Sequence, residues 1–181
     1  MTEVQSSPQR IGWMDICYRE GIAPWDIGES QQAIRQLAAL GAVEGNVLDP
    51  GCGTGWHAIE YARRGCAVTG IDIAATAIER ARHNAETNDV SVIFETGDVT
   101  QLAGYDGYFD TVVDSKCFDN IASPESRRLY VEALHRSMKP GAGLFMFAFG
   151  PGSVNDIHNH VDFVPDFETA AGIPTPMPFK V

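Results

Sequence analysis

The amino-acid sequence predicts an α/β fold, a doubly wound, mainly parallel sheet with helices on both faces and C-terminal strands that are shortened or atypical. Three observations predict it. Short apolar runs alternate with segments of helical periodicity between residues 31 and 149. A glycine-rich turn, Asp49-Pro50-Gly51-Cys52-Gly53-Thr54-Gly55, follows the first run at Val47-Leu48. Acids close later runs, with Asp72 after Val68-Thr69-Gly70-Ile71 and Asp114 after Thr111-Val112-Val113. Alternating strands and helices require right-handed crossovers and a sheet covered on both sides.

The elements follow in order. Residues 1–10 are polar and expected to fray. Residues 11–28 carry Trp13, Tyr18 and Trp25, too aromatic for a linker, and are expected to pack on the domain. Residues 31–40 read as a helix with Ser30 as N-cap, Ile34, Leu37 and Ala38 on one face, and Gly41 as its stop. Strands are expected at 46–49, 67–71, 91–95, 110–114 and 144–149. Helices are expected at 56–64, ended by Gly65, and at 74–88, with Ala77, Ile78, Ala81 and Ala85 inward. A last helix starts at Ser123-Pro124, turns Leu129, Tyr130, Ala133 and Leu134 inward, and ends at Lys139-Pro140-Gly141. Residues 151–181 hold five of the ten prolines; a short strand at 161–164 is the only element expected there.

Composition sets bounds. A length of 181 residues suits one domain with a full core. No apolar run reaches membrane-spanning length and no secretory signal is visible, so a soluble, cytoplasmic protein is expected. Cys17, Cys52, Cys66 and Cys117 form no CxxC pair and read as free thiols. A net charge of -11 argues against a broad nucleic-acid surface and for a small-molecule partner, with no membrane partner. The cluster His158-Asn159-His160-x-Asp162 lacks a third and fourth ligand of its own, so a solvated edge is favoured over a metal site and none is assigned.

The glycine turn and Asp72 describe a nucleotide-binding unit. A dinucleotide fingerprint would place its third glycine at position 56, where the chain has Trp56. Asp49 beside the loop would repel a pyrophosphate but suits a ligand bearing an ammonium group. The segment resembles the cofactor loop of class I S-adenosylmethionine-dependent methyltransferases, whose fold is Rossmann-like. That resemblance implies S-adenosyl-L-methionine as cofactor, held around Asp49, Gly51, Cys52, Gly53, Thr54 and Gly55. It implies Asp72 on the ribose, Ile73 against the adenine, Asp98 on its exocyclic amine and Val99 as a backbone contact. Asp98 would also serve as a turn residue, and Asp114 either lines the cofactor or caps the following loop.

The stretch Gly12-Trp13, Tyr18, Gly21 and Pro24-Trp25-Asp26-x-Gly28 resembles the thiol, halide and thiopurine methyltransferase group. There, N-terminal aromatics fold over the cofactor. This implies a methyltransferase domain over 11–150, with an aromatic lid at 11–40 that includes Trp25, and an atypical tail at 151–181 packed on it. The implied reaction is in-line transfer of a methyl group to a small thiol or phenolic acceptor. The alternative is a module that binds the cofactor or its demethylated product without turnover. Asn/Asp-Pro-Pro-aromatic, which goes with amino-group methylation, is replaced by Asp114-Ser115-Lys116-Cys117, and Cys117 lacks the preceding proline of a cytosine C5 nucleophile. His57 and Asp119 are candidate bases, and neither is assigned. The strand at 144–149 would be a bare edge, so the tail or a second subunit in a homodimer is expected to cover it.

Overall fold

The computed structural model describes residues 8–148 and the two short strands at 153–154 and 157–158. The elements are α1 (Pro8–Arg19), α2 (Gln32–Ala39), β1 (Asn46–Pro50), α3 (Trp56–Arg63), β2 (Ala67–Asp72), α4 (Ala75–Thr87), β3 (Ile93–Thr96) and β4 (Phe109–Ser115). They continue with α5 (Cys117–Asn120), α6 (Pro124–Ser137), β5 (Met138–Phe147), β6 (Ser153–Val154) and β7 (Ile157–His158). The first five strands form one parallel sheet in the order β3-β2-β1-β4-β5. The chain runs outward from β1 through β2 to β3, then crosses back to place β4 on the other side of β1. The point between β1 and β4 is the topological switch, where such sheets bind ligands beyond their carboxyl ends.

Period-two alternation divides the core. Val47 and Val113 face one layer with Ile34, Ile59, Tyr61 and Ile78, which come from α2, α3 and α4. Leu48 and Val112 face the other with Phe109, Phe118, Tyr130 and Leu134, which come from β4, α5 and α6. Both strands are apolar on both faces because both faces are covered.

Several elements depart from expectation. Helix α1 begins at Pro8, so residues 8–10 are helical and not frayed. The N-cap of α2 is Gln31, and the Ser30 hydroxyl has no hydrogen-bond partner among the described residues. Helix α6 is capped as expected, Ser123 accepting from the Ser126 amide at 3.0 Å with Pro124 in the first turn. It stops at Ser137, however, and Met138-Lys139-Pro140 already belong to β5. Proline is tolerated there because β5 pairs with β4 and with no other described strand, so the missing N–H interrupts nothing on the outer side. Among the described residues β5 is accordingly the edge of the sheet and half exposed, Leu144 at 40%. Leu129 is half-buried while Val131 takes a core position. The expected strand at 161–164 and the His158–Asp162 metal question lie outside the described residues apart from the backbone of His158. No helix among the described residues is long and apolar enough to cross a membrane.

Candidate cofactor site

The loop after β1 is shaped by β2. The amides of Gly51 and Cys52 both donate to the Ile71 carbonyl, at 2.7 and 3.1 Å, and the Gly53 amide donates to Asp72 Oδ2 at 2.8 Å. Gly55 is left-handed, φ +83°, and is the N-cap of α3. A Cβ there would meet the Phe94 ring at 2.7 Å and Ala81 Cβ at 3.0 Å. A Cβ at Gly53, φ +53°, would meet the Tyr18 hydroxyl at 2.8 Å. Close packing within the protein therefore requires these two glycines, in addition to any ligand.

A cavity of about 500 Å³ opens over this loop. Of the residues expected from the sequence, Trp25, Gly51, Cys52, Gly53, Thr54, Asp72, Ile73, Asp98 and Val99 line it. Asp72 is 7% exposed, and its Oδ1 accepts from the Ala74 amide at 2.9 Å. Burial raises its pKa, and the amides of Ala74, Gly53 and Ile73 pull it back. With three amides on it, the carboxylate keeps about one of its four acceptor positions for a ligand hydroxyl. Asp98 Oδ1 accepts from the Thr100 amide at 2.9 Å, so the turn role and the cavity position coexist.

Three expected residues do not reach the cavity wall. Gly55 lies behind it, closed in by Phe94. Asp49 is 1% exposed and sits beneath the loop. Asp114 is fully buried: Tyr130 Oη donates to its Oδ2 at 2.8 Å, and the amides of Cys117 and Phe118 donate to its carboxylate at 2.8 and 3.1 Å. Of the two roles open to Asp114, the structure has it capping the turn into α5. Burial raises its pKa to about 6, against the pull of those three donors.

The N-terminal segment crosses the mouth. Trp25 Nε1 donates to Tyr18 Oη at 2.8 Å, the rings meeting edge-on at 83°. Thr54 Oγ1, in the glycine loop, donates to Asp26 Oδ1 at 2.7 Å. The Thr76 amide at the head of α4 donates to Asp15 Oδ1 at 2.9 Å, and the Gln31 amide to His57 Nε2 at 3.4 Å. Trp25 and Ile27 line the cavity yet stay 42% and 56% exposed, whereas Trp13 points away at 57%. Tyr18 and Asp26, read in the sequence only as part of the entry motif, line the cavity too, and the sequence reading missed Ile27 and Lys116. The signal for Ile27 was its place inside that same aromatic, proline-bounded stretch.

The candidate bases separate. His57 lines the cavity, but burial lowers its pKa to about 4, so it is neutral and a weak proton acceptor at pH 7. Asp119 does not line it and lies 3.7 Å from Lys116 Nζ. Burial, then the nearby carboxylates, raise the Cys52 and Cys117 thiols, which therefore stay protonated near neutrality.

A doubly wound parallel sheet with a glycine loop, an acid ending β2 and a cavity at the switch point defines an α/β protein built to hold a nucleoside cofactor. The chain belongs to the class I S-adenosylmethionine-dependent methyltransferases, with residues 47–141 matching the family described as a methyltransferase domain. It is 39% identical over 127 residues to a 2-heptyl-1-hydroxyquinolin-4(1H)-one methyltransferase of Mycobacteroides abscessus, covering 70% of this chain and 56% of that protein. It is 30% identical over 146 residues to a probable thiol methyltransferase of Arabidopsis thaliana, covering 76% of this chain and 61% of that protein. A solved structure reported with the conversion of a disulfide bond into a thioacetal group during echinomycin biosynthesis superposes with a TM-score of 0.69 at 39% identity. That match covers 74% of this chain and 59% of the other. The chain thus spans between half and two thirds of the length of these proteins.

Proposed function

We propose that this protein transfers the methyl group of S-adenosylmethionine to a small acceptor, with thiols first in order and phenolic or other hydroxyls second. The observation that carries the reading is the cavity that joins the glycine loop, Asp72, Ile73, Asp98 and Val99 under Trp25. In it, Asp72 accepts from the ribose hydroxyls, Ile73 packs on the adenine, Asp98 takes its amine and the 51–54 backbone lies under the methionine part. The methyl carbon is already activated by the positive sulfur, so the protein has to align the acceptor and exclude water. His57 is a poor base, which favours an acceptor that ionises unaided, as a thiol with a pKa of about 8.5 partly does. The names of the relatives point the same way, one to a thiol and one to an N-hydroxyl compound. We assign the lid role to the N-terminal segment on the same grounds. The outer edge of β5 we assign to the residues after 150 or to a second copy, which light scattering across concentration tests.

Calorimetric titration of S-adenosylmethionine and its demethylated product, then turnover with a panel of thiols and phenols, tests the reading. Asp72→Ala should weaken cofactor binding by about 1.5–3 kcal/mol through lost charged hydrogen bonds. Wild-type affinity in the folded variant sinks the ribose assignment. Tight cofactor binding with no turnover on any acceptor, nucleic acid included, favours the binding module.

A further inference from the structure

Beneath the glycine loop the protein gathers acids without a base. Asp49, next to last in the central strand, is 1% exposed, and its Oδ2 has no hydrogen-bond partner among the described residues. One donor, the Ala58 amide in the first turn of α3, serves its carboxyl. The ionisable groups acting on it are Asp114 from β4, Asp72 from β2, Cys52 from the loop, Tyr61 from α3 and Cys117 from α5. All five lose a proton to become negative, and none can neutralise a carboxylate. A buried carboxylate with an orphaned oxygen and two acids beside it is costly, so the neutral acid is preferred. The burial and the neighbouring carboxylates act together in raising its pKa, outweighing the Ala58 amide. No cation stands among the described groups that act on it, so a cationic ligand on the other side of the loop would supply the missing countercharge.

We propose that Asp49 determines specificity for ligand charge, releasing its proton to solvent when a sulfonium lies over the loop and keeping it under a neutral thioether. The inference rests on the cofactor reading above and adds a discrimination to it. The methionine ammonium is common to donor and product, so the difference isolates the sulfonium. In the transfer, the C–S bond breaks, its electron pair stays on sulfur and the acceptor's lone pair forms the new bond to carbon. The positive charge on sulfur is thereby gone, Asp49 takes a proton back from solvent, and the product loses the partner that held the donor.

Calorimetry at matched pH in two buffers of different ionisation enthalpy counts the protons. Between about pH 5 and pH 7, where α-amino groups stay protonated, S-adenosylmethionine should release more protons on binding than S-adenosylhomocysteine, by up to about one. Its affinity relative to the product should then rise with pH by up to about tenfold per unit. Asp49→Asn, which keeps the shape and removes the titration, should flatten that ratio and abolish the difference in proton release. Equal proton release for the two ligands overturns the proposal, as does an Asp49→Asn protein, folded by thermal melt, that keeps the pH-dependent ratio. Should the variant not fold, the count is repeated on Asp114→Asn, which removes the neighbouring carboxyl that titrates near pH 6: a difference that persists supports the proposal and one that vanishes overturns it. Failure of both ligands to bind is a separate outcome that removes the cofactor reading and this inference with it.

Discussion

The two walls of the cavity are built on opposite principles. The loop after β1 is fixed from behind, its amides spent on Ile71 and Asp72 and its glycines pressed against Phe94 and Tyr18. Apart from Cys17 and Tyr18, which are buried against the domain, the N-terminal segment is fixed at points. It has single hydrogen bonds to Thr54, His57 and Thr76, and it leaves Ile22, Trp25 and Ile27 about half exposed. Strand and loop packing admits one arrangement, whereas a segment held by separate hydrogen bonds can release and re-form. On the proposed reading, rigidity falls to the side that would hold the ligand and adjustability to the side that would let it pass.

The largest effect expected is at the loop. Gly55→Ala forces a left-handed alanine against Phe94 and should cost about 2–5 kcal/mol, the sum of backbone strain and overpacking. Chemical denaturation measures it, and a loss below about 1 kcal/mol would mean the loop is as yielding as the lid. Trp25→Ala removes the edge-on contact and the hydrogen bond to Tyr18, with an expected cost of about 1–2 kcal/mol. Its main signature should be faster cofactor dissociation, read by stopped flow, and an unchanged rate would leave Trp25 a docking role only. Asp26→Ala breaks the link to Thr54 and should cost about 0.5–1.5 kcal/mol, with Asp26→Asn restoring most of it because one acceptor oxygen remains.

The smallest effect is nil at neutral pH. Folded His57 stays neutral down to about pH 4, whereas the unfolded side chain protonates near 6.5, so acid favours the unfolded chain across that window. The stability His57 contributes is present above pH 6.5 and lost as pH falls towards 4. Thermal melts of His57→Gln should therefore decline less between pH 6.5 and 4 than those of the wild type. Equal declines would show that the lid does not keep this ring dry.

The rigid wall was legible in the sequence element by element, whereas the adjustable one was legible as a position over the site but not in its helix or its contacts. Val47-Leu48 and Val112-Val113 announce interior strands because both their faces are covered, and the glycine turn with Asp72 follows from the chain direction alone. Helix α1 escaped notice because Gly12 interrupts it and its apolar residues sit on all sides, Trp13 outward while Cys17 and Tyr18 point inward. Lys139-Pro140-Gly141 looks like a helix end, and only pairing with β4 makes it strand. The Asp26–Thr54 contact joins residues 28 apart with no periodicity to betray it. Asp49 and Asp114 were placed at strand ends correctly, but whether a carboxylate turns to the ligand or to Ala58 and Tyr130 depends on packing.

The lid's attachments also carry a consequence for how the chain is made. Its partners lie downstream, the farthest of them, Thr76, 61 residues after Asp15. During synthesis the segment emerges before its partners, and its Asp15 link must wait until Thr76 at the head of α4 has followed. Tyr18, buried at the end, and Trp25, beside it, stay in water throughout that interval. A segment made before its partners is thus tied down only after them.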